Sequence, residues 1–357
     1  MTAPWDPTDL PDRLDALLDA FLGEQQQALA DLGPEADRLV AAARAAVTGG
    51  KRLRAQFCVW GFRAAREPED ASEGQALLRG AAALELLHAS ALVHDDVIDD
   101  SDTRRGRPAA HRAFADGHVA DRWGGDPRAF GVAAAVLLGD LLLVWSDEVL
   151  RGCSLPPDRL DRALKTFDLT RAEVIAGQFL DVAAQARGEG DVAHAMRVLR
   201  YKSAKYSVER PLLLGAALAG ASPRVEAALS AYGLPIGEAF QLRDDLLGVY
   251  GDPKVTGKPA GDDLAEGKRT VLVALALAGS AAEDAAVLDA ALGRPLTAVE
   301  VEELRGVIDR SGAHAEVERR IEDLTAQGLA ALDQGDLADD ATKALRELAL
   351  AATQRVV

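Results

Sequence analysis

The chain has 357 residues, with 57 acidic against 40 basic side chains and a formal net charge of −17. That balance excludes nucleic acid and anionic membrane surfaces as default partners, because both carry charge of the same sign. Alanine and leucine dominate and runs of β-branched or aromatic residues are scarce, so the class expected is all-α. Gly and Pro are scattered without a long linker, so one domain over 1–357 is expected.

The chain opens on Met1-Thr2-Ala3-Pro4-Trp5-Asp6-Pro7, and about the first dozen residues read as a flexible segment. They lack the charged-then-apolar form of a signal peptide. Further on, Gly49-Gly50-Lys51-Arg52-Leu53-Arg54 opens a helical stretch. Glycine backbone at a helix start, flanked by cations, suits an anion. From Ala76 to Val93 the sequence is apolar on nearly every side, as in a buried helix. His88 lies on its Leu84–His88–Ala91–Asp95 stripe, where a satisfied core histidine is the ordinary reading.

That helix runs into five aspartates, Asp95, Asp96, Asp99, Asp100 and Asp102. Carboxylates at a helix C-terminus oppose the macrodipole, a cost that a cation would offset. Asp95 and Asp99 share a helix face and Asp96 sits about 100° round from it. Oxygen ligands without Cys or His favour a hard cation such as magnesium, which fills its remaining positions with water and phosphate. Arg104-Arg105 follow at once, so metal and arginine together would hold a phosphate ester. A solvated acidic turn has the same composition.

Asp121-Arg122-Trp123-Gly124-Gly125-Asp126-Pro127 reads as a loop. The apolar run Ala129–Trp145 is broken by Asp140, and reads as too short and interrupted to span a membrane. Cys58 and Cys153 match no disulfide framework or zinc spacing, which points to a reducing cytoplasm. Tyr201-Lys202-Ser203-Ala204-Lys205-Tyr206 reads as an amphipathic helix face with two cations and a hydroxyl. In a second acidic site, Gln241, Asp244, Asp245 and Gly248 form one helical stripe. A Gly- and Pro-marked loop follows, carrying Asp252, Lys258 and Lys268.

Taken in order, these motifs resemble the trans-isoprenyl diphosphate synthase (polyprenyl synthetase) family over roughly Phe21 to Arg346, and most nearly its bacterial geranylgeranyl-type members. The GGKxxR element matches Gly49–Arg54, DDxxD matches Asp95–Asp99, and RRG matches Arg104–Gly106. The second acidic motif runs from Asp244-Asp245 to Asp252 after Phe240-Gln241, with the later lysines at Lys258 and Lys268. The resemblance implies a bundle of long helices around a deep cavity, usually homodimeric. It implies an Mg2+-dependent enzyme with about three ions per site, Mn2+ substituting. That enzyme condenses isopentenyl diphosphate with dimethylallyl, geranyl or farnesyl diphosphate.

Under the resemblance, Asp95, Asp96 and Asp99 bind metal on the allylic diphosphate, and Asp244 binds more, with Asp245 and Asp252 contributing. Arg104, Lys202, Ser203, Gln241, Lys258 and Lys268 line the allylic diphosphate, and Lys202 and Lys258 join the aspartates in catalysis. Lys51, Arg54, His88 and Arg105 hold isopentenyl diphosphate. Ser203 stands where the family often has threonine. The small Ser90 and Ala91, above Leu87 and Leu84, imply a tail longer than farnesyl and a main product of geranylgeranyl diphosphate (C20). A farnesyl or longer-chain (C25 and above) synthase is the alternative. A class I terpene cyclase would carry an Asn/Asp, Ser/Thr, Glu triad in place of Asp244-Asp245 and Asp252. A regulatory subunit would have lost one of the acidic motifs. Cytoplasmic location without stable membrane insertion is the matching expectation.

Overall fold

The computed structural model describes residues 9–188, 191–251 and 261–354, which are almost entirely helical. They gather into two compact units. One ends at Leu164 and takes in Ala217–Gly220; the other comprises Lys165–Ala216 and the chain from Ala221 on.

The first unit is built from α1 (Leu10–Ala28), α2 (Pro34–Val47), α3 (Leu53–Arg63), α4 (Ala71–Ile98), α5 (Ala110–Ala120), α6 (Pro127–Arg151) and the start of α7 (Pro157–Arg187). Its axis is α4, whose buried face carries Leu77, Leu84, Leu86 and Leu87. Asp70 caps α4 by accepting from the Glu73 N–H, and Asp126 caps α6 ahead of Pro127 at the first helical position. Helix α6 packs along α4, and α5 along α6. Gly80 leaves room on α4 for Leu218, and Gly139 leaves room on α6 for His94.

Between α4 and α5 a minimal hairpin pairs β1 (Thr103–Arg104) with β2 (Arg107–Pro108). Its two turn residues, Arg105 and Gly106, have φ of 52° and 71°. Two positive φ values match the twist of a two-residue hairpin turn, and Gly106 takes one of them without strain.

The second unit holds the rest of α7, α8 (Val192–Leu199), a π-helical segment (Arg200–Glu209), α9 (Arg210–Ala219, shared at its end with the first unit) and α10 (Pro223–Tyr250). Then come α11 (Asp262–Ala265), α12 (Val271–Gly279), α13 (Ala282–Ala291), α14 (Ala298–Arg310), α15 (Ala313–Gln334) and α16 (Asp339–Thr353). Helix α10 is central, packed by α15 and the π-helical segment around Leu242, Leu246, Leu272 and Val317. Ser222 caps it ahead of Pro223.

Residues 200–209 differ from the regular helix face expected of them. In a π-helix the N–H reaches back five residues, so the helix is wider. Glycines let it fit: a methyl at Gly177 on α7 would overlap the backbone of Tyr201–Lys202, and one at Gly237 on α10 would overlap Ala204.

The apolar run in α6 also differs from expectation. Asp140 interrupts the apolar sequence but not the helix, which is 25 residues long and continues on both sides. Among the described residues, α4 and α6 are long and apolar enough to cross a membrane, with 78% and 39% of their most apolar stretches buried within the protein.

Candidate active site

In the first unit the glycine-lysine-arginine element and the hairpin meet. Gly49 and Gly50 have φ of 79° and 92°, and the chain enters α3 through Arg52 in the left-handed region. Arg105 Nη1 donates to the Thr48 carbonyl at 3.0 Å. A Cβ on Gly50 would lie 3.1 Å from the Arg105 guanidinium, so the glycine admits it. Lys51 is exposed and Arg54 half-buried in the first turn of α3.

His88 looks toward this cluster. Burial, then the charges of Arg54, Arg105, Arg104 and Arg52, hold its imidazole well below its ordinary pKa, so it is neutral near pH 7. Packing and the neighbouring arginines also lower Arg105, against an opposing pull from Glu85. So much like charge in one place calls for an anion.

Arg52 answers a different need. It is buried, donating to Glu85 at 2.8 Å and to Asp15 at 2.6 Å, and so ties the start of α3 to α4 and α1. Its adjacency to Lys51 and Arg54 in sequence does not extend to role.

The acidic end of α4 divides by face. Asp96 is 3% exposed and accepts from Arg104, Nε at 2.8 Å with a second contact from Nη2. Asp95 is partly exposed, 3.7 Å from the same guanidinium. Asp99 is the C-cap, and its N–H donates to the Asp95 carbonyl at 2.8 Å, which keeps the two carboxylates on one face. Along α4, Leu84, Leu87 and Ser90 are buried and Ala91 is partly exposed.

In the second unit, Ser203 donates its hydroxyl to the Gln241 side chain, which donates to Asp245 at 2.8 Å. Asp245 is buried. Burial, Asp263 and Asp244 push its carboxyl up to about 8, against the Gln241 hydrogen bond and Lys268. Lys268 pairs with Asp263 at 3.1 Å and with Glu266. Lys202 donates to Asp181 at 2.5 Å. Asp263 and Asp181 belong to this constellation although no motif pointed to them; they are single carboxylates in an acid-rich chain. Gly248 completes its stripe, since a methyl there would overlap the Asp263 carboxylate. Asp252 and Lys258 lie outside the described residues.

Among the described residues, no three His, Cys, Asp or Glu side chains enclose a metal ion by themselves. The donor set nevertheless fits a hard divalent cation. Asp95 and Asp99 stand together at a helix C-terminus, and exposed Asp244 and half-buried Asp263 lie beside buried Asp245. Magnesium needs few protein carboxylates when water and phosphate complete its shell.

Comparison with known proteins bears on the family. A geranylgeranyl pyrophosphate synthase from Corynebacterium glutamicum, solved with isoprenyl diphosphate and magnesium, is 43% identical with a TM-score of 0.95, over 99% of this chain and 100% of that one. The geranylgeranyl diphosphate synthase of Mycobacterium tuberculosis is 35% identical over 253 residues, 70% of this chain and 67% of that protein. The geranylfarnesyl diphosphate synthase of Aeropyrum pernix is 34% identical over 232 residues, 64% of this chain and 67% of that protein. The polyprenyl synthetase family model matches residues 36–308, a span that holds both acidic motifs and the arginine cluster, and the chain belongs to that family.

Proposed function

We propose that the chain is a magnesium-dependent trans-prenyltransferase. It condenses isopentenyl diphosphate head-to-tail with an allylic diphosphate, and its main product is geranylgeranyl diphosphate. The observation that carries this reading is the arginine cluster around His88, a metal-independent anion site set beside the acidic end of α4. A terpene cyclase acts on one diphosphate and has no use for it. The similar synthases from C. glutamicum and M. tuberculosis support the C20 product, and the geranylfarnesyl enzyme of A. pernix keeps a longer product as the alternative.

Asp95, Asp99 and Asp244 would hold the metal, with Asp245 and Asp252 contributing, in about three sites that Mn2+ also fills. When bound, the metal neutralises charge building on the departing diphosphate. Asp96 holds Arg104 toward the same oxygens. Lys202 and Lys268 give up Asp181 and Asp263 for phosphate oxygens and, with Lys258, stabilise the leaving group. Ser203 and Gln241 fix the diphosphate by hydrogen bonds.

Lys51, Arg54 and Arg105 hold the second diphosphate, and neutral His88 donates to it without adding charge. That anchoring places the double bond of isopentenyl diphosphate against the allylic cation. A carbon next to the resulting cation then loses a proton to a diphosphate oxygen, and the C–H electron pair becomes the new double bond. Ser90 and Ala91 leave space below Asp95, and Leu87 and Leu84 close it farther down.

The family span crosses both compact units, which supports one catalytic domain. The exposed apolar side chains Val132, Val136, Leu137 and Val144 on α6 support a homodimer. The test is mass spectrometry of products from isopentenyl diphosphate with each allylic primer and magnesium. C20 should dominate. A dominant C15 product would overturn the length assignment, and turnover of an allylic substrate alone would mark a cyclase.

A further inference from the structure

One stripe of α7 faces the π-helical segment. Glu173, Gly177 and Asp181 follow one another at intervals of four residues, so they lie within roughly 80° of each other round the helix. Asp181 accepts from Lys202, and Gly177 admits the Tyr201–Lys202 backbone. Glu173, about two turns earlier, belongs to neither proposed diphosphate site, yet its carboxylate carries two cations. Arg210 donates to it through Nε at 2.7 Å and Nη2 at 2.9 Å, and Lys205 Nζ lies 3.3 Å away.

The two cations are five residues apart along the segment. The Arg210 N–H donates to the Lys205 carbonyl, which is the five-residue bond of a π-helix. Residues five apart on an α-helix would point roughly 140° from each other. One carboxylate spans both side chains because the backbone between them is widened. A return to α geometry would break that span, so Glu173 favours the π form. Lys205 is also 3.2 Å from buried Glu209, which accepts from Ser230 on α10 at 2.6 Å. Two acids thus balance two bases. Burial would raise the Glu173 carboxyl, but Arg210 and Lys205 hold it below the ordinary glutamate value, so it is ionised near pH 7.

We propose that Glu173 is a positioning residue for condensation: by bridging Lys205 and Arg210 it keeps residues 200–209 π-helical, and so keeps Lys202 and Ser203 turned to the allylic diphosphate. It touches neither substrate. The inference rests on the prenyltransferase reading for the ligand that Lys202 meets, and on geometry alone for the bridge.

Steady-state kinetics of Glu173→Gln test it. The allylic kcat/KM should fall about tenfold or more, while KM for isopentenyl diphosphate stays within about twofold, because the site proposed for it belongs to the first unit. Combined with Lys202→Ala, Glu173→Gln should add little to the loss that Lys202→Ala causes alone, as expected of residues that act together. A residue that only held the fold together would add its own loss. Glu173→Gln leaves Lys205 and Arg210 facing Glu209 alone, so Glu173→Gln with Lys205→Gln is the neutral companion should the single variant not fold. It lacks the same bridge and should show the same selective loss with helical circular dichroism retained.

Parental allylic kinetics in the folded variant, equal losses toward both substrates, or losses that add fully with Lys202→Ala would each overturn the proposal. Titration calorimetry with inorganic diphosphate and magnesium separates it from the synthase reading. Weaker magnesium-dependent binding in Glu173→Gln, with no condensation by the parent, would sink that reading and support the bridge. Diphosphate binding equal to the parent's would overturn the bridge.

Discussion

At the scale of single residues, Asp96 is buried against Arg104 while Asp95 and Asp99 share the more open face of α4, and the metal role proposed for that face makes a direct prediction. Asp95→Ala or Asp244→Ala should lower turnover by several orders of magnitude at saturating magnesium with helical circular dichroism unchanged. Near-normal turnover in either would remove the metal assignment. Lys51→Ala or Arg54→Ala should raise the Michaelis constant for isopentenyl diphosphate about ten- to a hundredfold and leave the allylic one nearly alone. The reverse pattern would mean that the two diphosphate sites are exchanged. Asp245 predicts a pH effect. Its folded carboxyl is held up to about 8, above the ordinary aspartate value, so the folded state binds the extra proton between about pH 4 and 8. In EDTA this group therefore lowers stability as pH rises through that window. Thermal melts at pH 5.5 and 8 should differ less in Asp245→Asn than in the parent, and magnesium should stabilise the parent more at the higher pH. Equal pH dependence in the two proteins would contradict the buried, crowded carboxyl.

At the scale of elements, the sequence was most legible where local chemistry is strong. The apolar 76–93 run did become the core of a buried helix ending in its acidic block, whereas the hairpin turn at Arg105-Gly106 was not read from the sequence. The π-helical segment was not legible. Lys202 and Ser203 read as an ordinary amphipathic face, and the widening depends on Gly177 and Gly237, far away in sequence. The role of Arg52 was not legible for a similar reason: its carboxylates come from α1 and α4, which no spacing near residue 50 reveals. Gly237→Ala tests the packing argument. Its methyl would press on the Ala204 backbone, so the variant should melt lower and lose most activity, as Ser203 moves from Gln241. A variant with parental melting and activity would show that the segment yields without consequence.

At the scale of the whole molecule, the all-α class followed from an alanine- and leucine-rich composition, and the family from motifs in order. The division into two compact units did not follow, since its boundaries fall inside α7 and α9, where the helical pattern continues unbroken. The run Ala129–Trp145 read as too short and interrupted to span a membrane, yet α6 is long and apolar enough to do so, because one aspartate breaks a hydropathy pattern more readily than it breaks a helix. The exposed valines on α6 belong to this scale. Val132→Glu with Val144→Glu should convert a dimer into a monomer by light scattering with the fold retained. An unchanged mass would place the subunit contact elsewhere.

The π-helical segment has a consequence for counting. Each of its turns holds roughly one residue more than an α turn. The placement of Lys202 beside Asp181 and of Arg210 beside Glu173, 2.7 Å apart, thus depends on how many residues lie between them as well as on which they are. Delete one residue from 200–209 and an unbroken α-helix becomes available, with the chain before the deletion turned by roughly 100° relative to the chain after it. Nothing chemical need be removed for the lysine to be lost. At this position the length of the chain is itself a structural specification, and a change that preserves every one of these side chains can still undo both ion pairs.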